Sequence, residues 1–471
     1  MRRVFQACDE IVGLCLERGG SITGEHGVGI EKRKYMPAMY TGAELSAMRD
    51  IKTLLDPENL LNPGKIFPPD LPYPLRALPA LPVDSPFAPG STEEAAAGLA
   101  ALSQSGRRVT VGGAAKGDPG EGALWLTTAN LRGVVEYAQN DLYVTARAGM
   151  RVETLQTFLA GYNMQAPLAE PWADATLGGV VAANANAPLR MRYGALRDIV
   201  IALTVALADG RVIRAGRNVV KNVAGYDLTK LFIGSHGTLG LITDVTLKLT
   251  PRPRAQATLA VPVADPQQGF HWAARLLPHL LVASGLVLAP GELISEAPAA
   301  PYYLLLTAEG VPEDVQAELA EAKSVLRQTN APVGFLLEAQ NATTVWGAFL
   351  RGQSRDALLV RAGLPPDLLA AYAAQTIDAT PLPAQWLFDV GNGLAYVRAT
   401  PGDEESAQAW LAALREPALA LDGYAVAVNV PAHLDNTIDW WGYQPNALDL
   451  MRNLKTRWDP AGILNPGWFV V

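Results

Sequence analysis

Cysteine is nearly missing from this chain: Cys8 and Cys15 are the only two in 471 residues. Seven positions apart on one stretch, they make neither a disulfide framework nor a CxxC metal pair. The expected home is therefore a reducing, cytoplasmic compartment. No run of about 18 apolar residues occurs, so no membrane span is expected. Basic excess is also absent. The net charge is −8 and the isoelectric point is near 5.3, which argues against a nucleic-acid surface. Two common phosphate-binding signatures are missing. Gly112-x4-Gly117 is followed by Asp118-Pro119 rather than Lys-Ser/Thr, and glycines at 112, 113 and 117 do not spell GxGxxG. The opening stretch MRRVFQACDEIVGLCLERGG begins basic and turns apolar, as a signal peptide would. Asp9 and Glu10 interrupt it and no small-residue cleavage site follows, so an amphipathic helix is expected.

What is present is a large stock of apolar side chains. Hydrophobic residues make up 49% and charged residues 18%, which excludes wholesale disorder. The length predicts two or three domains. One motif occurs twice. MRDIKTLLDPENLLNPGKIF starts at Met48 and MRNLKTRWDPAGILNPGWFV at Met451, with ten identities in twenty aligned positions. Each copy reads as a helix that stops at Asp-Pro, followed by Asn-Pro-Gly turn chemistry. Two distant copies are not a solenoid; they read as two related protein endings on one chain.

A proline-rich stretch, Phe67 to Gly90, reads as an extended linker that separates a short N-terminal piece from the rest. After it, a capping box at Ser91-Thr92-Glu93-Glu94 starts a helix. Short strands and glycine loops follow, with a hairpin turning at Asp209-Gly210. From about residue 254, Ala/Leu-rich helices alternate with apolar strands and phosphate-loop glycines stop.

Three loops carry the glycines. VTVGGAAKG leaves a strand at Gly112 and Gly113 and continues through Ala114, Ala115, Lys116 and Gly117. DATLGGVVAANANAP offers Asp174, Thr176, Gly178, Gly179 and Val180. GSHGTLGLITD offers Gly237, Thr238, Leu239, Gly240 and Ile242 ahead of a strand. Backbone N–H groups exposed by such loops can cradle a pyrophosphate. Each alone could be a packing feature; three in this order within about 130 residues point to a ligand site.

The loop order, with RYGALRD and KNVAGYDLTKLFIGSHGTLGLITDVTLKLTPRPR, resembles the FAD-binding domain of the vanillyl-alcohol oxidase (PCMH-type) superfamily. Over residues of about 80 to 471 the chain resembles the FAD-binding subunits of bacterial glycolate oxidases. The N-terminal GGSITGEHGVGIEKRKYM, with the first motif copy, resembles the C-terminal tail of the large catalytic subunits of those enzymes. The resemblance implies an α+β fold: a two-subdomain PCMH-type FAD-binding domain followed by an α+β cap. The implied layout is a tail-like fragment at 1–69, a linker at 70–90, an FAD-binding domain at 77–253, a cap at 254–440, and a closing helix and motif at 441–471.

The same resemblance implies non-covalent FAD, held by the three loops with help from Asn184, Arg190 and Tyr193. It implies a small 2-hydroxy-acid substrate, glycolate or D-lactate. The implied partners are a large FAD-containing catalytic subunit and an iron–sulfur subunit, which would hold the chain peripherally at the inner membrane. With no cysteine cluster here, any iron–sulfur centre lies on another chain. In the family tail, the glutamate and histidine of GEHGVG serve metal binding and proton abstraction. Glu25 and His26 match those positions. The paired histidines that would complete a metal site are absent; His271 and His279 read as helix residues. His236 reads as a loop or packing residue. Deleting residues 1–69 is expected to leave FAD binding intact.

Overall fold

The computed structural model describes residues 2–69, 83, 86–113, 119–120, 122–218, 223–352, 356–434 and 437–468. Two strands lie parallel beside the first glycine loop, Val109–Gly112 and Leu124–Thr127. A five-stranded antiparallel sheet follows in the spatial order Val134–Ala138, Tyr143–Arg147, Leu241–Lys248, Val200–Ala206, Val212–Gly216. The expected hairpin is present: Ala206 pairs with Val212 across a turn in which Gly210 takes φ 84°. Val144, Val205, Val245 and Leu247 are fully buried in this sheet's core.

The C-terminal half is built on an eight-stranded antiparallel sheet. Its order is Phe335–Leu337, Ala255–Val263, Tyr302–Gly310, Ala283–Pro290, Gln385–Asp389, Leu394–Ala399, Leu358–Gly363, Tyr424–Asn429. Every residue of the strand Ala283–Pro290 is buried, because apolar side chains cover both sheet faces. The helices Pro266–Leu276, Pro312–Gln328 and Glu404–Ala420 pack on one face, and Ala342–Arg351 on the other.

The N-terminal piece does not stand apart, and this corrects the sequence reading. Met36, Met39, Tyr40, Leu45 and Met48 are buried in the same core as the five-stranded sheet. The helix Gly42–Leu55 begins with the capping box Thr41/Glu44. The other oxygen of Glu44 accepts a bond from Arg214 N at 3.0 Å, tying the helix to the sheet edge. Asp50 accepts from Arg211 at 3.0 Å and from the indole of Trp458 at 3.1 Å. Trp458 is itself fully buried and stacks on Phe232. The short piece has too few apolar residues to bury a face by itself. Removing residues 1–69 would uncover Trp458 and strip Arg211 of Asp50.

The two motif copies fold into the same clasp. In the second, Asp459 accepts from the N–H groups of Ile463 and Leu464 at 3.0 and 2.8 Å, while Lys455 Nζ bridges Asp459 and the Leu464 carbonyl at 2.6 and 2.7 Å. In the first, Asp56 accepts from Leu60 and Leu61, both at 2.9 Å. Lys52 bridges Asp56 and the Leu61 carbonyl in the same way. Both turns pass through left-handed asparagine, Asn62 at φ 50° and Asn465 at φ 41°.

Candidate functional site

A cleft of about 580 Å³ opens where the three glycine loops meet. That size suits an organic cofactor rather than an ion. Its walls include Gly112 and Gly113 from the first loop, Asp174, Thr176, Gly178 and Gly179 from the second, and Gly237, Gly240 and Ile242 from the third. These nine expected residues come together. Ala114, Ala115, Lys116 and Gly117 lie outside the described residues.

The glycines are there because the walls touch. A Cβ at Gly113 would lie 2.7 Å from Thr176 Oγ1, and one at Gly178 would lie 2.9 Å from the Ala148 Cβ. Gly237 has φ +71° and its Cβ would lie 2.9 Å from Asn465 Nδ2. Glycine alone keeps the backbone this close to the cleft without displacing a neighbour. Thr176 caps the helix Leu177–Ala182 by accepting from Gly179 N at 3.2 Å. Asp174 is ion-paired with Arg151 at 2.9 Å, and both line the cleft. Gly178 and Gly179 already donate to Ala148 O and Thr176 Oγ1, so the backbone of the first and third loops, the Thr176 hydroxyl and Arg151 form the donor set suited to a pyrophosphate. The residues therefore fit FAD.

Other expected residues sit elsewhere. Val180 and Leu239 are buried in the core behind the cleft. Thr238 is buried too; its hydroxyl donates to Ser235 O at 2.7 Å and its carbonyl accepts from Lys455 at 2.8 Å. Asn184 takes φ 48° and accepts from Asn186 Nδ2 at 2.8 Å. The charge of Arg190 acts on Asp389, a fully buried carboxyl pushed up to about 7 by burial. Tyr193 donates to Glu309, and burial with that contact pushes its phenol up to about 12. Glu25 and His26 are exposed and not part of the cleft wall. Among the described residues, no three His, Cys, Asp or Glu side chains stand together as a metal site.

Several lining residues were not expected. Thr128, Ala129 and Gly149 carry no motif signal and reach the cleft through the turns beside the strands. His236 also lines it. Burial, and then the charge of Arg361, hold its imidazole down to about 4, so it is neutral at neutral pH. Trp468 lies parallel to that ring with centroids 6.5 Å apart. Asn465 accepts from Val111 N and donates to the His236 carbonyl, both at 2.6 Å. One side chain thus joins the first and third loops. Asn465 was legible only as part of the repeated LNPG.

Residues 85–216 match the family described as FAD binding domain, and residues 1–66 and 441–468 match FAD linked oxidases, C-terminal domain. The second match takes in both copies of the motif. The chain is 28% identical to glycolate oxidase subunit GlcE of Escherichia coli (strain K12), over 71% of this chain and 84% of that protein. It is 27% identical to glycolate oxidase subunit GlcD of Bacillus subtilis (strain 168), over 74% and 80%. A D-lactate dehydrogenase of Archaeoglobus fulgidus matches at 26%, over 74% and 82%. Solved structures of similar fold include alkyldihydroxyacetonephosphate synthase (TM-score 0.60, 13% identity, 80% of this chain and 76% of that one). Another is 4-ethylphenol oxidase from Gulosibacter chungangensis (TM-score 0.58, 16% identity, 81% and 88%). The fold is the PCMH-type α+β architecture and the cofactor is FAD. No helix among the described residues is long and apolar enough to cross a membrane.

Proposed function

We propose that this FAD-dependent oxidoreductase, an FAD-linked oxidase by its FAD binding and C-terminal domains, is the smaller flavin subunit of a glycolate oxidase-type complex. Its substrate class is a small 2-hydroxy acid, glycolate or D-lactate, and its partners are a large flavoprotein and an iron–sulfur subunit. The observation that carries the reading is the glycine-walled cleft, spanned by Asn465 and fitted to FAD.

Bound FAD supplies a two-electron acceptor. The glycine backbone would orient its pyrophosphate; Trp468 and neutral His236 would shield the cleft from water. Arg361 stands on the cap strand Leu358–Gly363 behind the residues that line the cleft, with its guanidinium over the Tyr424 ring. Its Nε is buried without a hydrogen-bond partner among the described residues, and its charge acts on His236 and Tyr396.

Glu25 and His26 are exposed, so under this reading they serve a partner's site and not this cleft. The test is co-expression with the large and iron–sulfur subunits, followed by glycolate or D-lactate oxidation with an artificial acceptor. The assembled complex should turn over and its flavin should bleach with substrate under anaerobic conditions. His26→Ala should slow turnover about 100-fold, the usual worth of a general base. Equal rates for the two preparations would remove His26 from the chemistry. Flavin that never changes redox state would defeat the functional reading itself.

A further inference from the structure

The two clasps are alike inside and unlike at the rim. Ile463 and Leu464 are 0% exposed, whereas the corresponding Leu60 and Leu61 are 71% and 66% exposed. The second rim is used. Val109 N donates to the Ile463 carbonyl at 2.8 Å, Asn465 N donates to the Val109 carbonyl at 3.0 Å, and the Asn465 side chain joins Val111 to His236. At the first rim, Asn62 Oδ1 accepts only from Lys65 of its own turn among the described residues, at 2.9 Å. The chain therefore holds one clasp seated on a flavin domain and a second, equally built clasp with its seating face in solvent.

We propose that the first clasp docks in trans onto the flavin domain of a second protein of the same fold. Leu60 and Leu61 would pair with that domain's counterpart of the strand Val109–Gly112. Asn62 would join that strand to the partner's third glycine loop. A second copy of this chain is excluded as the occupant, since its own residues 463–465 already cover that strand. The occupant is a flavoprotein whose corresponding strand is not covered by an ending of its own. A second feature lies at the same face. GEHGVG and the turn that follows it are bonded to the first clasp: Ile66 N donates to the carbonyl of Gly29, the last residue of GEHGVG, at 3.0 Å, and Arg33 donates to the Gly64 carbonyl at 2.5 Å. In the seated copy, Asn465 and Trp468 line the cleft. Docking of the first clasp would therefore bring the loop bearing Glu25 and His26 next to the partner's flavin cleft. The kind of partner rests on the proposed complex; the docking geometry rests on the two clasps.

The experiment uses the full chain and a concrete probe, Bacillus subtilis glycolate oxidase subunit GlcD. GlcD would be supplied at full length and cut before the C-terminal stretch that residues 20–66 resemble. The tagged full chain should retain the cut form and at least ten-fold less of the uncut form. Leu61→Asp with Asn62→Ala should reduce retention of the cut form at least ten-fold. Leu60→Ile, which copies the second clasp, should not. FAD content of all variants should equal wild type, because the second clasp is untouched. Equal retention of the cut form by wild type and the double variant would overturn the docking mode while leaving the complex intact. The cut form is used as the fraction that elutes as a compact, FAD-loaded protein, and no retention of that fraction by wild type would overturn the proposal outright. Turnover with artificial acceptor, measured separately, reports on the functional reading.

Discussion

At the scale of single residues, the cleft depends on side chains that are absent. Gly179 lies in the wall, where an added Cβ would sit 3.0 Å from Thr176 Oγ1 and 3.7 Å from Trp172. A methyl group could be tolerated there, but an indole could not. Gly179→Trp should abolish FAD binding while leaving the far-UV circular dichroism unchanged, because the helix Leu177–Ala182 can carry the side chain into the open cleft. Normal FAD content in a folded variant would reduce this loop to a packing feature. Such glycines were legible in the sequence because their spacing and order have no bland explanation as a set. Arg190 and Tyr193 show the opposite case. Their stretch was recognisable, but which way a side chain leaves a short helix depends on packing against the cap. Here Asp389 and Glu309, both from the distant cap sheet, lie beside them.

At the scale of elements, the helix-stop motif was readable down to its proline and its left-handed asparagine. Asp-Pro and Asn-Pro-Gly restrict the backbone locally, so twenty residues suffice to predict the turn. Its environment was not readable. The same motif buries both aspartates, but it seats one rim beneath a strand and leaves the other rim, Leu60 and Leu61, in solvent. Asp459 is 2% exposed and holds Lys455, whose ammonium is disfavoured by burial. Asp459→Asn should lower stability by about 3 kcal/mol, in the range for breaking a buried pair. It should also loosen the seat of Asn465 in the cleft. Asp56→Asn breaks the corresponding contacts at a rim that touches solvent, and the loss should be clearly smaller. Urea unfolding of the two variants side by side checks this; equal losses would mean that the clasps are equally embedded. The linker misled in a related way. Proline content predicts an extended segment but not whether the piece before it folds back, and Met36 to Met48 fold back into the flavin-domain core.

At the scale of the whole molecule, the order of parts along the chain was legible and their assembly was not. Strand alternation in the cap separated it from the glycine-rich half, because sheet-forming apolar runs are local signals. The eight-stranded order pairs strands as far apart as Val287 and Asp389, and the contact between the closing motif and the first glycine loop joins Val111 to Asn465, which no local pattern encodes. That contact decides how cofactor and fold depend on each other. The cleft wall takes residues from the loop at 110–113, the stretch 172–183, the loop at 236–242 and the C-terminal Asn465 and Trp468. FAD would therefore touch segments that unfold separately if the clasp opens. Ligand that binds the folded form alone stabilises it by about 2.7 kcal/mol when free ligand is 100-fold above its dissociation constant. Stripping FAD should lower the melting temperature, and returning FAD should restore it. Amide exchange should slow at 109–113 and 463–468 together on FAD addition, because Asn465 couples the two. Acid precipitation should leave the flavin in the supernatant, as a non-covalent cofactor requires; flavin in the pellet would instead single out His236, the histidine in the described cleft wall, as the attachment point to examine.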